Sequence, residues 1–580
     1  MDNLSDELLV VVESAFLSTP TRATLNDLRQ VGKDWRDILD RNTYENRTVG
    51  YVSERPYDVV FGVLVARFSA SHVTATTIRP PREAGLRVIP DDAFPVAFNR
   101  IASVDLSLCD TLVSVGARAF QTATITSLLL PASPQNLVSI GDSAFELAQL
   151  TALDLSKCTA LKTIGDSAFE LAQLTALDLS KCTALERIGN RAFKLSPFAA
   201  MNLDLSDCTA LESIGDSAFY CARFGALYLT HCSALRHIGN CAFRISLFRT
   251  LNLLGCPALV RIGAYTFADA RLTGLNLSNC TALQEIGNEA FESSGLTTLN
   301  LWNCTALREI GRNTFKFSAL DQLDLSHCTA LETIAHGAFE YSRLTTLNLF
   351  NCNRLSHIAS SAFHWSRLTT LDLTNCTALV EIGNLAFNYS DLNTLVLSNC
   401  TALERIGEHA FENAILTELD LSNCTALREI GASVFRRSLL TALDLSKCTA
   451  LETISYGAFF DSTLNILNLS NCNRLVHIGR SAFHNSKLTT LHLSNCTALL
   501  EIEEDAFFSS LLTELNLSGC VALQRLGREA FYYSPIRLLD LRFKERTFPL
   551  QVGFRCFAKS PVAELRLLDD GPLAQGLYGV

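Results

Sequence analysis

The chain has 580 residues, 48% of them hydrophobic and 18% charged, with a formal net charge of −11 and a pI near 5.6. A mean hydropathy of +0.20 supplies enough apolar material for a large core and excludes extensive disorder. The acidic balance excludes nonspecific affinity for nucleic acid or an anionic membrane, and no apolar run approaches the ~18 residues of a membrane span. The longest candidate, Val59 to Phe68, is broken by Arg67. The opening Met1-Asp2-Asn3-Leu4-Ser5-Asp6-Glu7 is acidic where a secretory leader is basic. The expectation is an intracellular, cytoplasmic monomer, with a nuclear location left open.

Residues 1–42 come first. Leu4, Leu8, Leu9, Val12 and Phe16 follow helical spacing, with Ser5 placed as N-cap and Asp6 and Glu7 in the first turn. Ser18-Thr19-Pro20-Thr21 interrupts, and Leu25, Leu28, Val31, Trp35, Ile38 and Leu39 give a second helical pattern punctuated by Gly32. The spacing predicts a two- or three-helix module too small to stand by itself. The segment resembles an F-box, whose usual form begins L-P-x-E-L and ends in L-R-x-V-x-K-x-W-R. The corresponding stretches here are Leu4-Ser5-Asp6-Glu7-Leu8 and Leu28-Arg29-Gln30-Val31-Gly32-Lys33-Asp34-Trp35-Arg36. Ser5 replaces the customary Pro, and Gly32 stands where Cys or Ser is common. The resemblance implies binding to the Skp-type adaptor of a cullin ubiquitin ligase through Leu4, Leu8, Leu9, Leu28, Val31 and Trp35. The alternative is an amphipathic helical cap over the first repeat, which solenoids need.

Residues 43–85, with Tyr44, Tyr51, Tyr57 and the apolar run Val59–Val65, read as a junction and N-terminal cap, with degenerate repeat starting from about Thr74. From 86 to 568 the chain repeats about twenty times, with a period of 24 residues. Cys208, Cys232, Cys256, Cys280 and every 24th residue on to Cys520 are cysteine, and Cys182, Cys158 and Cys109 continue the series upstream. Of the 20 cysteines only Cys221, Cys241 and Cys556 fall outside it, so the thiols mark a structural period. One unit reads L-T-x-L-D/N-L-S-x-C-T-A-L-x-x-I-G-x-x-A-F-x-x-S-x, and 141–164 and 165–188 are near-identical copies. This period, with its L-x-L core, is the leucine-rich-repeat signature. The recurrent I-G-x-x-A-F resembles the BspA-like repeats. The L-S-x-C-T-A-L half resembles cysteine-containing repeats of F-box proteins. Residues 569–580 form a short tail.

The unit's residues predict its fold. In L-D-L the leucines point to one face of a strand and the central residue to the other. The Cys turns inward, where its S–H donates weakly to a backbone carbonyl. Leu of T-A-L and Ile of I-G supply further core layers, Gly permits a tight turn, and A-F is expected to form a helical turn on the convex side. Twenty of the 34 phenylalanines occupy the A-F station, from Phe94 to Phe557, and should stack as a spine. The expected class is therefore α/β: a solenoid with a parallel sheet on its concave face behind a helical module.

No constellation for chemistry emerges. The thiols point into an apolar core without a C-x-x-C pair, which suits neither zinc nor a disulfide. His237, His357 and His477 lie on the repeat at convex positions without a Ser/His/Asp or Cys/His set, and no phosphate loop is present. The expectation is a non-enzymatic interaction protein without cofactor or metal. The central column of L-x-L holds nine Asp and six Asn in twenty stations, expected to bond laterally to neighbouring Ser, Thr and Asn. Its exceptions are Leu129, Tyr228, Val396, His492 and Arg566, and the next column, mostly Ser or Thr, carries Leu254, Trp302 and Phe350. Exposed aromatics are over-represented among binding hot spots, so Tyr228, Leu254, Trp302 and Phe350 are the candidate anchors for a target protein.

Overall fold

The computed structural model describes residues 48–50, 77–79, 86–94, 102–131, 134–197, 202–543 and 549–567. The chain divides into two compact units, Met1–Cys280 and Thr281–Val580. The proposed helical module at 1–42 lies outside the described residues.

Each repeat contributes two short strands. The L-x-L strand, such as Ala152–Asp154 or Thr370–Asp372, stacks in register on its neighbour, with Leu177 opposite Leu153 and Leu395 opposite Leu371. The second strand ends on the Ile of I-G, and Ile164, Ile188, Ile214 and Ile238 face one another along a second parallel ladder. In the first unit the L-x-L ladder begins at Thr48–Gly50, which pairs with Thr77–Arg79, which in turn pairs with Ser103–Asp105. Two intervals depart from 24 residues without losing register: across the 25 residues before Leu153, Ser127 still pairs with Ala152, and across the 26 before Leu565, Leu539 pairs with Leu565.

The core matches the pattern read from the repeat. Leucines of L-x-L, the ladder cysteines, Leu of T-A-L, Ile of I-G and Phe of A-F are buried throughout the described repeats, with rare exceptions such as Leu565. Cys182 Sγ donates to the Leu155 carbonyl of the preceding rung at 3.4 Å, and Cys400 and Cys496 repeat this to Leu373 at 3.3 Å and Leu469 at 3.1 Å. The phenylalanines form a face-to-face stack within each unit, with centroids 5.2 Å apart for Phe169 and Phe193 and 4.9 Å for Phe363 and Phe387.

The expected helical turn is absent: no helix occurs among the described residues, so the fold is a parallel-strand β-solenoid rather than α/β. The backbone around each spine Phe alternates between right- and left-handed conformations, with Ser167 at φ 53 and Leu171 at φ 57 on either side of Phe169. Alternate N–H groups then have different destinations. Those of Ser167, Phe169 and Leu171 donate to the carbonyls of Asn190, Ala192 and Lys194 on the next rung, whereas those of Ala168, Glu170 and Ala172 donate three residues back. A helix would keep every such bond to itself and requires 8–10 Å between axes. Rungs paired as strands stand only ~4.8 Å apart. The strand spacing wins, and the A-F segment becomes a third inter-rung ladder.

The Gly of I-G also does something other than turn the chain. A Cβ on Gly239 would lie 2.5 Å from the Gly215 carbonyl carbon and 2.6 Å from the Asp216 nitrogen on the preceding rung. The residue provides clearance between rungs. Gly239→Val is expected to lower stability by about 1–3 kcal/mol through overpacking, measured as a shift in denaturant midpoint. An unchanged midpoint would mean that the rungs separate freely there.

Candidate partner-binding face

The L-x-L strands present their outer side chains to solvent because alternate residues face opposite ways; Ala176 and Asp178 are exposed around buried Leu177. All fifteen Asp and Asn of the central column share one bond. The side-chain oxygen accepts the backbone N–H two residues on, as in Asp178 to Ser180 at 2.8 Å and Asp372 to Thr374 at 2.8 Å. This is an Asx turn within the same rung, replacing the lateral bonding expected from sequence. It satisfies the first free N–H past the strand, which explains the preference for Asp or Asn. In Asp154 the Ser156 hydroxyl, assisted by the Ser156 N–H, holds the carboxyl below its ordinary value. No group of three or more metal-ligating residues occurs among the described residues.

The ladder cysteines are not reactive groups. Burial pushes the thiols of Cys158, Cys352 and Cys472 up to about 12, so they stay protonated near neutrality.

In the first unit Tyr228 is exposed on strand Leu227–Tyr228, between Asp204 and Asn252 of the adjoining strands, and Leu254 is half-buried at the strand exit. In the second, Trp302 is 51% and Phe350 71% exposed. Their backbone N–H groups are held by Asn300 and Asn348, so the Asx turn aims both rings from the same station. They stand two rungs apart, roughly 10 Å at ~4.8 Å per rung, with Ser326 at the intervening station. The Trp302 ring also leans on His327, centroids 5.3 Å apart.

A second exposed aromatic set was not singled out in the sequence. Phe317, Tyr341, Trp365 and Tyr389 occupy the station two residues after the spine Phe on four consecutive rungs. Its sequence signal is an F-x-[F/Y/W] triplet recurring at 24-residue intervals.

Two parallel ladders of short strands, closed over a Leu, Cys and Phe core, define a leucine-rich-repeat β-solenoid. The sequence profile of the BspA type leucine rich repeat region matches in six copies over residues 87–221, 236–369, 308–441, 356–475 and 428–561, and the chain belongs to that family. No F-box family was detected in the chain, and no curated protein matches it. Among solved structures the chain is similar to a leucine-rich repeat protein from Bacteroides ovatus, with 16% identity, 75% of this chain and 88% of that one covered, and a TM-score of 0.33. The pneumococcal vaccine antigen PcpA shares 17% identity over 59% of this chain and 80% of its own, with a TM-score of 0.28. The functional domain of InlJ from Listeria monocytogenes, which includes a cysteine ladder, shares 16% identity over 74% and 68%, with a TM-score of 0.26.

Proposed function

We propose that the protein is a binding scaffold that holds a partner protein on the outer face of its L-x-L strands. The observation that carries this reading is the exposure of Trp302 and Phe350 from a column built mostly of Ser and Thr. Burying two aromatic side chains of this size supplies several kcal/mol of association energy, and truncation of such anchors typically costs 2 kcal/mol or more each. Tyr228 and Leu254 offer a smaller patch of the same kind on the first unit. The polar Asx-turn column around them provides the solvated rim.

The narrower reading is that this scaffold selects substrates for a cullin ubiquitin ligase, with residues 4–42 binding the Skp-type adaptor. Its support is the Leu28 to Arg36 run. Both readings meet one experiment: affinity capture of the full chain from an extract of its source cells, with quantitative mass spectrometry. Trp302→Ser/Phe350→Ser is expected to lose the partner by at least tenfold with an unchanged far-UV spectrum, and undiminished recovery would remove this face from consideration. Adaptor recovered with the wild type and lost with Leu28→Ala/Trp35→Ala would establish the ligase connection. A partner recovered without adaptor leaves the scaffold alone.

A further inference from the structure

The four aromatics that follow the spine on successive rungs of the second unit form a surface of their own. All four lie in left-handed backbone, Phe317 at φ 55, Tyr341 at 53, Trp365 at 53 and Tyr389 at 54, a conformation that turns their side chains away from the core. They stack face to face, with centroids 5.0, 6.2 and 4.5 Å apart in chain order and planes within 13° of parallel, and remain 41% to 52% exposed. The His364 ring stands edge-on to Tyr341, Trp365 and Tyr389, bracing the stack from the side.

This arrangement restricts what can bind. The ring faces are largely occupied by one another, so a nucleobase or sugar has little flat surface to stack on; the ring edges are left for a ligand. Aromatic edges carry the positive end of the ring quadrupole. Two residues further along, Arg343 and Arg367 line the same shallow cleft on adjacent rungs, exposed and, among the described residues, with neither guanidinium in an ion pair. Most, though not all, other arginines of this unit are neutralised: Arg405 lies between Glu381 and Glu429, and Arg436 beside Glu412. The other charges around the strip are already engaged, Lys316 with Glu340 and Glu412 with Arg436. At the third station Asp391 reverses the sign and ends the positive stretch. The result is a positively biased aromatic lip on a chain of net charge −11.

We propose that Phe317, Tyr341, Trp365 and Tyr389, with Arg343 and Arg367, dock an extended acidic segment of a partner protein. Its carboxylates are taken by the two guanidinium forks, and an apolar side chain lies against the ring edges. Arg343 and Arg367 rise from backbones ~4.8 Å apart on neighbouring rungs, and their long side chains can splay to meet same-face carboxylates ~6.7 Å apart on one extended chain. Tyr, Trp and Arg are also the residue types in which interface energy concentrates. The proposal goes beyond the L-x-L face, using other residues of each rung, and it stands or falls separately.

The test is selection of a phage-displayed random linear peptide library on the full chain, followed by fluorescence polarisation with the recovered peptides. The expected result is enrichment of peptides with Asp or Glu beside an apolar residue, bound more weakly as salt is raised. Arg343→Glu/Arg367→Glu should weaken them by about tenfold or more, with the unfolding curve unchanged. Trp365→Ser should do the same, and Trp302→Ser should leave binding intact. Because the charge reversal alters only exposed, unpaired side chains, it decides the matter even if Trp365→Ser fails to fold. Peptides without acidic residues, or affinity indifferent to the arginines, would overturn the proposal. So would heparin or poly(U) binding through Arg343 and Arg367 with no peptide selected, which would reassign the lip to polyanions.

Discussion

Phe363→Ala should cost the second unit about 3–5 kcal/mol, whereas Phe350→Ala, thirteen residues away, should stay within about 0.5 kcal/mol of wild type. The two rings differ only in station. Phe363 is fully buried between Phe339 at 5.1 Å and Phe387 at 4.9 Å, so truncation leaves a cavity that two stacked rings cannot close without losing their own contacts. Phe350 is largely in water already. The lesion should also be local in sequence. The Phe363 N–H donates to Ala386 and the Phe339 N–H to Ala362, so both bonds depend on the alignment that the spine maintains. Hydrogen exchange should show protection lost first at these amides and spreading outward rung by rung, as expected when each repeat contacts only its neighbours. A uniform loss across the unit, or equal costs for the two substitutions, would refute the spine as the main local support.

Different parts of the repeat were legible to different degrees, for physical reasons. The strand, the inward cysteine and the spine could be read because Leu155, Cys158 and Phe169 belong to stations whose composition hardly varies, and burial constrains side-chain size and polarity. The conformation of the A-F segment could not. Its left-handed positions hold Ser167, Leu171, Trp365 and Asn413, a chemically mixed set with little Gly, because the conformation is imposed by rung spacing and inter-rung hydrogen bonds. For the same reason the aromatic strip is hard to see: Leu147, Ser293 and Lys559 share its station. The Asx turn was within reach, since Asp or Asn followed two residues later by Ser or Thr is a local pattern. The clearance role of Gly239 was not, because it concerns Gly215 and Asp216 on a different rung.

Raising the pH from 8 to 10 should destabilise the second unit far more steeply than its surface charges alone would. Ten thiols there, those of Cys328, Cys352, Cys376, Cys400, Cys424, Cys448, Cys472, Cys496, Cys520 and Cys556, are pushed above the ordinary value of 9.0, with desolvation the leading cause. A folded chain keeps these protons to about pH 11 at Cys376 and to about pH 12 at Cys352 and Cys472, whereas the unfolded chain releases them from about pH 9 upward. The unfolded state then binds fewer protons than the native one, and stability falls as pH rises through this window, by about 1.4 kcal/mol per thiol per pH unit. At pH 10 the ten together would cost about 14 kcal/mol, comparable to the whole stability of an ordinary domain. Denaturant midpoints should therefore be flat below pH 8 and collapse between 9 and 10. Cys400→Ala/Cys424→Ala/Cys448→Ala should remove about 4 kcal/mol per pH unit of that slope. Labelling with iodoacetamide at pH 8 provides an independent readout: among the described cysteines only half-buried Cys221 and Cys241 should react before denaturant is added. Midpoints that stay level to pH 10, or rapid alkylation of the ladder in the native protein, would mean that the thiols are not held dry.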